Sequence, residues 1–157
     1  VRKLQQKPSK AEIDVALDLP GEAYLPSNYV PDMRSKIDFY RRFSRISSDV
    51  ELEKLSEELQ DRFGSLPPPV QRMFKLQALR IDASVWQIDS IRHEDKYLIY
   101  TYTDRRRAEQ LVATSKNNLR IVDSHSIYRT LSEKANTPDE ILSECRSVFA
   151  LQTARSA

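Results

Sequence analysis

Apolar and polar residues alternate from Ala11 to Leu19, with Ile13, Val15, Leu17 and Leu19 on one side and Glu12, Asp14, Ala16 and Asp18 on the other. A period of two with one apolar side predicts a half-buried strand, which Pro20-Gly21 closes. Pro26 and Pro31 keep the next stretch out of regular structure. Tyr24, Tyr29 and Val30 predict that it lies packed along the domain surface. The period then changes to 3.6. Asp32 predicts an N-cap for a helix reaching about Ile46, with Met33, Ile37, Phe39, Tyr40, Phe43 and Ile46 on one half of the wheel. Arg34, Asp38, Arg41, Arg42 and Arg45 fill the other half, where Asp38 is spaced to neutralise Arg34, Arg41 and Arg42 in part.

Ser48 or Asp49 caps a second helix with the apolar stripe Leu52, Leu55, Leu59 and Phe63, and Gly64 stands where a left-handed C-cap residue belongs. Glu53, Glu57 and Asp61 line its opposite face, with Glu58 and Arg62 on one flank. A third helix is predicted over 69–82, with Val70, Met73, Phe74, Leu76, Leu79 and Ile81 inward. Residues 85–91 and 96–102 read as strands of a hairpin joined by His93-Glu94-Asp95. Asp104 predicts the cap of a helix to about Thr114, and 119–122 and 126–129 read as two short strands. Thr137-Pro138-Asp139-Glu140 is a strong helix start, and the last helix buries Ile141, Leu142, Cys145, Val148 and Phe149. Five helices and five strands without regular βαβ alternation predict an α+β fold, a small mixed or antiparallel sheet with about five packed helices.

Composition narrows the function more than the fold. The chain of 157 residues has only two glycines, Gly21 and Gly64, where average usage would give about eleven. No Gly-x-Gly and no Gly-Lys-Ser/Thr ending occurs, so neither common phosphate-binding loop is present. The single cysteine, Cys145, excludes an intrachain disulfide framework and points to a reducing, cytoplasmic setting; its place on an apolar stripe predicts a buried structural thiol. His93 and His125 stand alone in predicted turns, which argues against a zinc site. The carboxylates fall on solvated helix faces, where no raised pKa for acid catalysis is expected. No apolar run approaches the roughly 20 residues that span a bilayer, so no membrane role is expected.

Net charge is only +2, less excess than nonspecific nucleic-acid binding usually needs. Two basic clusters stand out locally. Arg105-Arg106-Arg107 opens a predicted helix, where cations oppose the helix dipole, and Arg34, Arg41, Arg42 and Arg45 form a stripe. Neither is expected to have interleaved exposed aromatics, so an acidic protein surface is as good a target as nucleic acid. The acidic stripe of the second helix is either a solvated face or a docking surface.

One ordered set of motifs is more specific. Residues 13–20, then 25–32 (Leu-Pro-Ser-Asn-Tyr-Val-Pro-Asp), Arg34 and 39–42, followed by 59–67 with Asp-Arg-Phe-Gly-Ser-Leu-Pro, resemble the C-terminal domain of the bacterial transcription-repair coupling factors. The resemblance covers roughly residues 11–90. It implies a parent that is an ATP-driven DNA translocase, displacing stalled RNA polymerase and recruiting the excinuclease A subunit. In such a parent, ATP and magnesium belong to upstream motor domains and no cofactor to this chain. The chain itself is then non-catalytic and autoinhibitory: it docks on the N-terminal repair-recruitment domain of the same chain and masks the excinuclease A surface. By the Asp-Arg-Phe-Gly motif, the interdomain residues carried over are Glu58, Asp61 and Arg62. The expected organisation is a helix end and linker over 1–10, after a cut from a longer protein, and a regulatory domain over 11–157. Arg105, Arg106 and Arg107 have no family counterpart; contact with nucleic acid or polymerase through the arginine-rich faces is the alternative reading.

Overall fold

The computed structural model describes residues 13–115 and 118–156, with side chains as far as Phe149 in the last helix. The expected linker over 1–10 lies outside these residues. Local chemistry sets most element starts. Helix α1 (Met33–Ser44) is capped by the Asp32 carboxylate, which accepts from the Ser35 amide. Ser48 caps α2 (Asp49–Phe63) by accepting from the Glu51 amide, while the Glu51 carboxylate accepts from the Ser47 amide and the Ser48 hydroxyl. Helix α3 (Pro68–Val85) starts without a side-chain cap, on prolines that supply the right φ and lack a donor anyway. Asp104 caps α4 (Arg105–Ala113). Thr137 and Glu140 form a reciprocal capping box at the start of α5 (Pro138–Ser156).

Among the described residues five strands form: β1 (Ala16–Asp18), β2 (Ile88–Glu94), β3 (Tyr97–Tyr102), β4 (Leu119–Ile121) and β5 (Ser126–Thr130). They form one mixed sheet in the order β1-β2-β3-β5-β4. β1 runs parallel to β2, with Leu17 opposite Ile91, and every other pairing is antiparallel. The fold is therefore α+β, and among the described strands only β1 makes the sheet mixed.

Helices α3, α4 and α5 cover one face of the sheet. There Leu79 and Ala83 of α3, Ala108 and Leu111 of α4, and Leu142, Val148 and Phe149 of α5 meet Ile91, Leu98, Tyr100 and Ile127. A second core lies on the far side of α3, where Phe39 and Phe43 of α1 and Leu52, Leu55 and Leu59 of α2 pack on Val70, Met73 and Phe74. Phe43 meets Phe74 edge-on at 5.5 Å, an arrangement aromatic quadrupoles favour. Helix α3 is thus apolar on two sides, which explains why Gln77 is buried and donates to the Ile46 carbonyl at 3.0 Å.

Four expectations are corrected. Val85 closes α3 rather than opening a strand; a left-handed Gln87 (φ +59°) makes the turn, and β2 begins at Ile88. An apolar run at a helix end cannot be told from a strand by periodicity alone. His93 and Glu94 belong to β2, opposite Leu98 and Tyr97, and the loop shrinks to Asp95-Lys96 with Asp95 at φ +55°. The first strand is regular only over Ala16–Asp18, although the alternation persists from Ile13 to Leu19. Finally, half the apolar wheel of α1 is uncovered: Met33 is 64% exposed, Ile37 50% and Tyr40 40%.

Candidate docking surface

Helix α2 turns Leu52, Leu55 and Leu59 inward, which leaves Glu53, Glu57 and Asp61 exposed on its outer face. Its C-terminal end is held in place from several sides. Phe63 packs against Tyr29 with ring centroids 5.9 Å apart, and the Tyr29 hydroxyl donates to the Gly64 carbonyl at 2.7 Å. Gly64 takes φ +93°, ψ −172°, a combination essentially restricted to glycine. The turn carrying Asp-Arg-Phe-Gly is therefore a rigid platform.

Glu58, Asp61 and Arg62 sit at i, i+3 and i+4 and form one continuous patch. Their situations differ. Glu58 accepts a bidentate pair from Arg42 of α1 at 2.5 and 2.8 Å. That guanidinium holds the Glu58 carboxyl below the usual carboxylate range, and Glu58 pushes the Arg42 pKa up in turn. Both side chains are about two-fifths exposed, so the pair contributes no more than about 1 kcal/mol. Arg62 donates to the Ser35 hydroxyl at 3.3 Å and lies 4.9 Å over the Phe63 ring, which orients its guanidinium. Asp61 has no ion pair or side-chain hydrogen bond among the described residues and points to solvent. Asp61 and Arg62 both carry charge that no ion pair neutralises among the described residues, whereas Glu58 is tied to Arg42.

Helical spacing alone misses the partner of Arg42. It places Arg42 against Asp38, which does lie 3.6 Å away, but the shorter contacts cross to α2. The only hint was Arg42 on the polar half of its wheel.

The run Arg105–Arg107 is split in three. Arg107 donates to the Val85 carbonyl at the C-terminal end of α3, where a cation suits the helix dipole. Arg105 pairs with Glu109 at 3.2 Å and edges an open depression of about 460 Å³ with Asp89, Thr101, Tyr102, Thr103, Ser124 and His125. Arg106 is exposed without a side-chain partner among the described residues. On α1, by contrast, Tyr40 next to Arg41 in the chain is exposed, which corrects the expectation from sequence.

Cys145 is fully buried in the sheet-side core, and the Tyr100 hydroxyl donates to its carbonyl at 3.1 Å. Burial pushes its thiol up to about 12, so it stays protonated near neutral pH. Asp82 departs from the expected pattern. Half-buried on α3, its carboxyl is raised by desolvation and by Asp49, against the pull of Arg146. No group of three His, Cys, Asp or Glu side chains is placed to hold a metal among the described residues. No described helix is long and apolar enough to cross a membrane.

Comparison with known proteins places this architecture. The family model for the TRCF domain matches residues 19–111. A transcription-repair-coupling factor of Myxococcus xanthus is 29% identical over 154 residues, covering 95% of this chain and 13% of that protein. One from Bacillus subtilis is 32% identical over 100 residues, covering 64% of this chain and 8% of that protein. The chain therefore spans about a tenth of the length of these curated relatives. A crystal structure of the C-terminal domain of a transcription-repair coupling factor superposes with a TM-score of 0.73 at 22% identity, covering 90% of this chain and 95% of that one. The α+β architecture is thus a known fold, and the chain is a member of the TRCF domain family of transcription-repair coupling factors.

Proposed function

We propose that this chain is the regulatory C-terminal domain of an ATP-dependent DNA translocase that couples transcription to nucleotide-excision repair. It acts without chemistry of its own. Its α2 edge docks on the N-terminal repair-recruitment domain of the same protein and masks the surface that binds the excinuclease A subunit. ATP and magnesium act in upstream motor domains, and DNA and RNA polymerase are met through the parent protein, in the cytoplasm. The observation that carries this reading is the rigid Asp-Arg-Phe-Gly turn, which offers an unpaired Asp61 beside an oriented Arg62 and a clamped Glu58. Such a charged edge gives specificity more than raw affinity, which suits a contact that must release on a conformational signal. A coupling of about 1–3 kcal/mol is enough to hold a site closed most of the time.

The test is charge reversal at Asp61→Arg and Arg62→Glu in the full-length protein. Excinuclease A affinity rises by about 5–150-fold, the range such couplings span, while the far-UV circular dichroism stays that of the parent. Unchanged affinity in a folded variant would overturn the masking role. The alternative is nucleic-acid or polymerase contact through Arg105–Arg107 or the Arg34–Arg45 face; at Arg105–Arg107 it has less support, because Arg105 and Arg107 are already engaged within the fold.

A further inference from the structure

The opposite flank of the α1–α2 pair carries a feature that docking through α2 does not use. Met33, Ile37 and Tyr40 recur at i, i+4 and i+7 along α1, so their side chains stack in one stripe over two turns, about 10 Å. All three are exposed, Met33 most. The Tyr40 hydroxyl accepts from the Leu25 amide at 3.0 Å, which brings the exposed Tyr24 alongside and extends the apolar area beyond the helix. Contiguous apolar surface of this kind is unusual on a solvated domain and marks sites of association.

Basic residues border the stripe. Arg34, Arg41 and Arg45 fall on its outer side by the helical period, and all three are exposed. None forms an ion pair within 4 Å among the described residues. The acids on this side are already engaged: Asp32 caps α1 while lying in the field of Arg34, and Asp38 lies against Arg42. The rim is therefore positive and the floor apolar, the reverse in sign of the Glu53, Glu57 and Asp61 face on α2.

We infer that the Met33-Ile37-Tyr40 stripe of α1 is a second docking surface, and that its occupant is an acidic amphipathic helix of a protein partner. Apolar anchors of such a helix at i, i+4 and i+7 match the spacing of the stripe, and Asp or Glu along its edge meets Arg34 and Arg41. Complementary charge fixes the orientation, and the desolvated apolar floor carries the affinity. A phosphate backbone would use the arginines but gain nothing from Met33 and Ile37, the most exposed of the three stripe residues, so a protein occupant is favoured over nucleic acid. This surface stands whether or not α2 docks as proposed above.

Fluorescence anisotropy of three labelled probes on the 157-residue chain tests it. The first is a helix-forming peptide of about 18 residues with leucines at i, i+4, i+7 and i+11 edged by glutamates. The second is its lysine-edged twin, and the third a single-stranded oligonucleotide of about 20 nucleotides. The acidic peptide binds saturably and the lysine peptide does not. Met33→Ser with Ile37→Ser, and separately Arg34→Glu with Arg41→Glu, each weaken that binding by about tenfold or more. These positions are exposed, so both variants keep the parent circular dichroism. The inference fails if the acidic peptide does not bind, if the lysine peptide binds as well, or if either variant leaves binding unchanged. It also fails if the oligonucleotide binds more tightly than the acidic peptide and loses affinity only with the arginine variant.

Discussion

Gly21 and Gly64 both have positive φ, +108° and +93°, yet they serve the fold differently. A Cβ on Gly21 would lie 2.9 Å from the Arg72 Nε and 2.9 Å from the Pro138 Cβ, whereas one on Gly64 would meet nothing within 4 Å. Arg72 cannot simply move aside: it donates to the Glu22 carbonyl and grips Asp139 through Nε and Nη2, fastening the loop after β1 to α3 and α5. Alanine at either glycine carries backbone strain of about 1–3 kcal/mol, and only at Gly21 does steric conflict add to it. Gly21→Ala therefore lowers the thermal midpoint more than Gly64→Ala. In an Arg72→Ala background the cost of Gly21→Ala shrinks, because part of the conflict has gone. Equal costs for the two glycines, or a cost independent of Arg72, would refute this account of the clamp.

Helix α3 shows how one element can serve two cores and still strain a residue on its flank. Its inward faces are apolar on both sides, so Asp82 is caught between the start of α2 and α5, near Asp49 and Arg146. Because burial raises the folded-state pKa of Asp82 above its ordinary 3.8, its contribution to stability is fully present below about pH 4 and is lost as pH rises through the folded value. At neutral pH the ionised carboxylate is thus a net cost. Asp82→Asn raises the urea midpoint at pH 7, and the advantage fades as pH falls below the ordinary 3.8, where the carboxyl becomes protonated in the unfolded state as well. A variant less stable than the parent at pH 7 would mean that the attraction of Arg146 outweighs desolvation.

At the scale of the molecule, two hydrophobic clusters share α3, and Ile13 packs against both. Neither half can lose its packing without exposing a face of that helix, so unfolding is a single cooperative event. Trp86, the only tryptophan, packs on the sheet-side core, while the far-UV signal comes from all five helices. The urea transitions followed by tryptophan fluorescence and by circular dichroism coincide. Leu79→Ala, which cuts a fully buried side chain from α3, shifts both curves together by about 2–5 kcal/mol. Separated transitions would show that α3 joins two independent units instead.

Much of this was legible in the residues, for reasons that are local. Caps at Asp32, Ser48, Asp104 and Thr137 act within three or four positions, so the sequence alone places the helix starts. The period of two from Ile13 to Leu19 and the stripe Leu52-Leu55-Leu59 depend only on backbone geometry, which is why the inward faces and the charged edge of α2 were evident. What tertiary structure decided is which neighbour each face meets. It set β1 parallel beside β2 and placed β5 between β3 and β4, choices made by non-local pairing. It gave Arg42 to Glu58, leaving Asp61 and Arg62 as the platform charges without an ion pair among the described residues, and it divided Arg105–Arg107 among separate roles. It also left Met33, Ile37 and Tyr40 uncovered, although on the wheel they belong to the same apolar half as Phe39 and Phe43. A hydrophobic period fixes which side of a helix is apolar; how much of that side is covered depends on where α2, α3 and the 24–30 segment cross it.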